Sequence, residues 1–109
     1  MAIQVLVNQA GPLPITETFQ APSDAPMYLE VNGSVWTQTT DSLTGIAVSL
    51  DGEQIARALI WSNGPSTHRA CVPAYVQIQI EDEGNHTLTL SVDNAISDYN
   101  DYYTAVLHY

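Results

Sequence analysis

Val76-Gln77-Ile78-Gln79-Ile80 and His86-Thr87-Leu88-Thr89-Leu90-Ser91-Val92 exchange apolar and polar residues at every step. This is the two-residue period of a strand that buries one face. Between them Glu81-Asp82-Glu83-Gly84-Asn85 has the charge and the glycine of a turn, so the two segments are expected to pair as antiparallel neighbours. Ile46, Val48 and Leu50 keep the same alternation up to Asp51-Gly52. That dipeptide suits a type I′ turn, in which both central residues need positive φ, and the chain then returns from Gln54 to Trp61.

Further strands are expected at Ile3–Val7, Ile15–Phe19, Met27–Trp36, Arg69–Tyr75 and Tyr102–Tyr109, all rich in β-branched and aromatic residues. Leu29, Val31, Gly33 and Val35 hold one phase, which favours a continuous strand with glycine at a close approach over a turn at Asn32-Gly33. Pro73 breaks the stretch before Tyr75 into two strands or an edge. No segment reads as a helix of ten residues, and no internal repeat is visible. About eight short strands with frequent turns predict one all-β domain over residues 1–109, a two-sheet antiparallel β-sandwich. The paired cysteines of an immunoglobulin framework are missing, which turns the expectation towards a jelly roll.

The chain has no lysine, two arginines and twelve carboxylates, for a net charge of -10. Nucleic-acid binding draws most of its affinity from cations on phosphates, so no nucleic-acid partner is expected. Charged residues make up only 13% of the chain, which leaves a surface of Thr, Ser, Asn and Gln. Such a surface suits neutral polar ligands such as carbohydrate, and equally a homo-oligomer, dimer or trimer. Cys71 is the only cysteine, and its apolar neighbours predict a buried, inert thiol. No run is long enough to insert in a membrane. The N-terminal residues lack the pattern of a signal peptide, which would place the chain in the cytoplasm or have it exported without a cleaved signal.

Asp93-Asn94-Ala95-Ile96-Ser97-Asp98-Tyr99-Asn100-Asp101 is the densest polar stretch. Ca²⁺ takes six to eight oxygens from carboxylates, amides and carbonyls, which makes Asp98, Asn100 and Asp101, with Asp93 next, candidate ligands for Ca²⁺ as a cofactor. The same residue types also cap and turn loops without any ion. Trp36 and Trp61 end apolar strands and read as core residues. Trp61-Ser62-Asn63-Gly64-Pro65-Ser66 is nevertheless a second candidate site, with Trp61 to stack on a sugar and Asn63 and Ser66 to bind hydroxyls. Tyr99 and Tyr102 could stack in the same way, or line a subunit interface.

Asp98-Tyr99-Asn100-Asp101, followed by Ala105-Val106-Leu107, resembles the C-terminal calcium loop of small soluble bacterial lectins that bind fucose and mannose. The resemblance covers about ten residues and implies a β-sandwich in which calcium ions coordinate sugar hydroxyls. The order of a Ser66-to-Pro73 segment, a strand, an Asp/Asn-rich loop and an aromatic terminal strand is similar to trimeric jelly rolls of the tumour-necrosis-factor and C1q type. That likeness implies a symmetric trimer with Tyr99, Tyr102, Tyr103 and Tyr109 at the interface. Catalysis finds no support in a motif: Ser66 lacks a nucleophile-elbow context, and His68, His86 and His108 lack metal-helix spacing. The expectation is a non-enzymatic, lectin-like binding module, the alternative being a structural jelly roll of fibre or appendage type.

Overall fold

A computed structural model describes residues 2–109. Its tightest turn is Asp51-Gly52, which joins β4 (Ser42–Leu50) to β5 (Glu53–Ser62), with Leu50 paired to Glu53 directly across it. Both turn residues have positive φ, 51° at Asp51 and 85° at Gly52, as a two-residue turn that follows the strand twist requires. Working outwards from this turn, every strand before it pairs with one after it. β3 (Met27–Val35) takes β6 (Arg69–Ala70) and β7 (Ala74–Ile78), β2 (Ile15–Gln20) takes β8 (Asn85–Asp93), and β1 (Ile3–Ala10) takes β9 (Tyr102–His108).

All of these pairs are antiparallel, so the chain is one long hairpin rolled into two sheets, the nested arrangement of a jelly roll. One sheet runs β1-β9-β3, with β6 and β7 sharing the position beyond β3; the other runs β2-β8-β4-β5. The break between β6 and β7 falls at Cys71-Val72-Pro73, where proline cannot donate to the ladder. β3 is continuous through Gly33, and a Cβ there would overlap the ring of Tyr103. Among the described residues there is no helix, hence none long and apolar enough to cross a membrane.

One expected pairing is not observed. β7 and β8 do not form a hairpin; β7 lies against β3 in one sheet and β8 between β2 and β4 in the other. An alternating strand can pair with any strand of matching phase, and the short connection that would close a hairpin serves equally to cross between two sheets.

Alternation decides what enters the space between the sheets. Leu29, Val31 and Val35 from β3 and Ala105 and Leu107 from β9 meet Ile46 and Val48 from β4 and Leu88 and Leu90 from β8, all with almost no exposure. Each fully buried Val, Leu or Ile contributes about 1.5–3 kcal/mol. Cys71 joins this cluster, and burial pushes its thiol up to about 11, which makes it unreactive at neutral pH, as its surroundings in sequence suggested.

The end of the sandwich that carries the Asp51 turn is closed by His86. Its Nδ1 lies 2.7 Å from Asp51 Oδ2 and its Nε2 3.1 Å from the Asp82 carbonyl. Asp51 Oδ1 accepts the Thr87 N–H at 2.8 Å. Both imidazole nitrogens therefore face acceptors, and only the protonated ring donates to both.

Two expectations follow from this end of the molecule. Gly52→Val should lower stability by roughly 1 kcal/mol or more, because a β-branched residue resists positive φ; a thermal melt reads this directly. The second concerns pH. The Asp51 carboxylate, then the Asp82 carbonyl, hold the His86 pKa above its usual value, while His86 and the Thr87 N–H hold Asp51 below its own. A raised histidine pKa gives stability that is complete below about pH 6.5 and lost as pH rises through the folded value. A lowered aspartate pKa gives stability present above about pH 4 and lost as pH falls. Melting temperature should thus peak between these limits and fall on the alkaline side, and His86→Gln should reduce that fall, the rest coming from His68, whose pKa is also raised.

Candidate functional site

In a rolled hairpin each strand reverses direction, so alternate connections emerge at the same end. Residues 11–14, 36–41, 63–68 and 94–101 all lie at the end opposite the Asp51 turn, and hydrogen bonds fasten them together. Gly11 N–H donates to the Asp101 carbonyl and Leu13 N–H to Ser97 Oγ, at 2.8 and 2.7 Å. Trp36 and Ile96 exchange two backbone bonds, and Ser66 N–H donates to the Thr37 carbonyl. The two loops singled out separately in the sequence, Trp61–Ser66 and Asp93–Asp101, therefore meet at one end of the fold.

Asp101 organises the junction. Its side chain is fully buried, and each oxygen is spoken for: Oδ1 accepts Ser34 Oγ–H and His68 Nδ1–H, both at 2.7 Å, and Oδ2 accepts the Asp98 N–H at 3.0 Å. Asp98 Oδ1 accepts the Asn100 N–H at 2.8 Å, and Asp98 Oδ2 lies 3.7 Å from His68 Nε2. His68, Asp98 and Asp101 form a group with metal-ligating potential. The Asp101 carboxylate raises the His68 pKa by accepting its Nδ1–H, against a smaller opposing effect of desolvation.

The predicted residues divide between this site and other places. Asp98 and Asn100 stand at its rim, Asp101 is its floor, and Tyr99 projects beside them with 82% of its surface exposed. Asn63 and Ser66 are exposed on the neighbouring loop, where Asn63 Oδ1 accepts from Arg69 at 3.3 Å. Trp61 is 54% exposed on the edge strand β5, so it is not the core residue its apolar neighbours suggested. Asp93 is held away from the cluster by Arg57, through Nε to Oδ2 and through Nη2 to Oδ1 at 3.2 Å. Tyr102 points out from β9, where its hydroxyl donates to Asn8 at 2.8 Å. There it borders a depression of about 340 Å³ with Asn32, Ser34, Cys71 and Thr104. Tyr103, grouped in sequence with the interface tyrosines, is completely buried.

His68 is the residue that sequence reasoning passed over. Nothing in Ser66-Thr67-His68-Arg69 announces a site; the signal appears only when the chain folds Asp98 and Asp101 against it. The trio Ser34, His68 and Asp101 also has the composition of a catalytic triad but a different order of contacts. Ser34 and His68 both bond to the carboxylate, so the histidine has no contact through which to take the serine proton.

Among the described residues, the buried donors Trp36 Nε1 and Arg69 Nε at this end have no hydrogen-bond acceptor. The Trp36 ring lies 5.8 Å from that of His68, and burial is the main reason that the Tyr103 phenol is pushed up to about 12. A different depression, of about 620 Å³, lies at the opposite end between Gln20–Asp24 and Ile80–Gly84; it is bordered by Asp24, Glu81, Asp82 and Glu83 and holds no histidine or aromatic ring. Comparison of the chain with family models and with curated protein sequences gives no match.

Removing the buried carboxylate strands a hydroxyl, an imidazole and a backbone N–H at once. Asp101→Ala should cost roughly 2–4 kcal/mol of stability. Asp93→Ala, which breaks only an exposed ion pair, should leave the melting temperature nearly unchanged. Chemical denaturation of the two variants side by side checks the contrast.

Proposed function

We propose that this protein is a non-enzymatic binding module that recognises carbohydrate at the loop end of the sandwich. The observation that carries the reading is that an exposed aromatic ring, Tyr99, and exposed neutral hydrogen-bonding groups, Asn63, Ser66 and Asn100, stand on loops at the same end as the His68–Asp98 pair. Sugars present alternating hydroxyls and an apolar ring face, which amides, carboxylates and a tyrosine ring match. A divalent cation held at Asp98 would assist by taking sugar hydroxyls as ligands. At a net charge of -10, the module should prefer neutral glycans to sulfated or sialylated ones.

A second reading, a structural jelly roll that assembles with copies of itself, is favoured by the outer face of the β1-β9-β3-β7 sheet. Ile3, Val5, Tyr28 and Tyr75 are exposed there, and Tyr28 stacks on Tyr75 with centroids 5.4 Å apart. Glu30, the carboxylate among them, is paired to His108 at 3.0 Å. An acidic chain that self-associates needs such a charge-poor face.

A glycan array with and without chelator tests the first reading. Neutral glycans should bind, and Tyr99→Ala and Asn63→Ala should each weaken binding by about tenfold, equivalent to about 1.4 kcal/mol. No binding to any glycan, together with a light-scattering mass at a multiple of 11.9 kDa, would replace it with the assembly reading.

A further inference from the structure

We propose that His68 Nε2 and Asp98 Oδ2 are two ligands of a site for a divalent transition metal ion of the zinc type, with Asp101 as the carboxylate that orients the histidine.

Ionised Asp101 can only accept, so its 2.7 Å contact fixes the proton of His68 on Nδ1. The lone pair of the neutral ring then lies on Nε2, on the side of Asp98 Oδ2. Asp98 is held in that position too, because its other oxygen is occupied by the Asn100 N–H. Two electron-rich atoms therefore face each other across 3.7 Å, and a cation between them removes the conflict.

Distance separates the two cations that could serve. A proton shared by nitrogen and oxygen brings them to about 2.7–3.2 Å, closer than observed. Two ligands each about 2.1 Å from one metal ion stand about 3.4 Å apart at the tetrahedral angle and about 4.2 Å apart when opposite. The 3.7 Å separation lies inside that interval. Imidazole selects the ion: Ca²⁺ and Mg²⁺ take oxygen ligands, whereas zinc, nickel and copper take histidine nitrogen.

The surroundings are those of a supported ligand. A metal-binding histidine commonly gives its second N–H to a carboxylate that is itself hydrogen-bonded. Asp101 meets this description, since it is buried and also held by Ser34 Oγ–H and the Asp98 N–H. His68 and Asp98 keep 36% and 40% of their side-chain surface in solvent, so the remaining coordination positions would be open to water or an added ligand. The proposal stands whether or not a glycan binds at this end.

The test is calorimetry of the full chain with Zn²⁺, with Co²⁺ absorption as an independent readout of the ligand field. The wild type should bind one Zn²⁺, and Ca²⁺ at the same concentration should give no heat. His68→Gln, at an exposed position, and Asp98→Asn, at a half-buried one, should each weaken Zn²⁺ binding at least tenfold with melting curves that remain cooperative. Asp101→Asn should weaken it by about 10–100-fold. His86→Gln and His108→Gln should leave it unchanged. Absence of Zn²⁺ heat up to millimolar concentration would overturn the proposal, as would Zn²⁺ binding that survives His68→Gln or is lost in His86→Gln. Ca²⁺ heat that disappears in Asp98→Asn but not in His68→Gln would also overturn it, in favour of an all-oxygen site.

Discussion

A chain with twelve carboxylates, two arginines and no lysine has very few cations with which to stabilise its acids. The three histidines take up much of that work. His68 meets Asp101, His86 meets Asp51 and His108 meets Glu30, at 2.7, 2.7 and 3.0 Å. Backbone N–H groups add to this at the same carboxylates, Thr87 to Asp51, Asn100 to Asp98 and Asp98 to Asp101. A carboxylate that accepts several such bonds can sit inside a fold that it would otherwise disrupt.

The rolled hairpin gives these pairs their different roles. At one end His86 ties the central turn to the β7–β8 connection, using both nitrogens, and little of the histidine remains accessible. At the other end Asp101 is completely enclosed but its partner His68 is not, so one imidazole nitrogen faces outwards beside Asp98. Similar chemistry thus closes one end of the sandwich and leaves an imidazole nitrogen accessible at the other.

The lack of a side chain at Gly33 leaves room for the ring of Tyr103 between the sheets. A Cβ at Gly33 would overlap the Tyr103 ring, and a Cβ at Gly11 would stand 3.0 Å from that ring and 2.6 Å from the Asp98 carbonyl oxygen. The floor of the loop end is therefore the edge of the hydrophobic core, and loop geometry is coupled to core packing. This explains why Tyr103 of the aromatic terminal strand is buried while Tyr99 and Tyr102, which precede it, are exposed.

The strands, the Asp51-Gly52 turn, the break at Pro73 and the passage of β3 through Gly33 were all legible in the sequence, because each depends on the alternation or dihedral preference of adjacent residues. The sandwich class followed from their number and spacing. Pairing beyond the central turn did not: the β7–β8 hairpin suggested by a short loop gives way to β7 on β3, since local alternation does not identify a partner. The carboxylate loop was visible as composition, but its residues separate in space, Asp93 to Arg57 and Asp101 inwards to Ser34 and His68. Residues 33 positions apart make the His68–Asp101 bond. No periodicity records a contact of that separation; only the rolling of the hairpin brings the two loops to one end, where burial turns a solvated aspartate into the fixed point of a site.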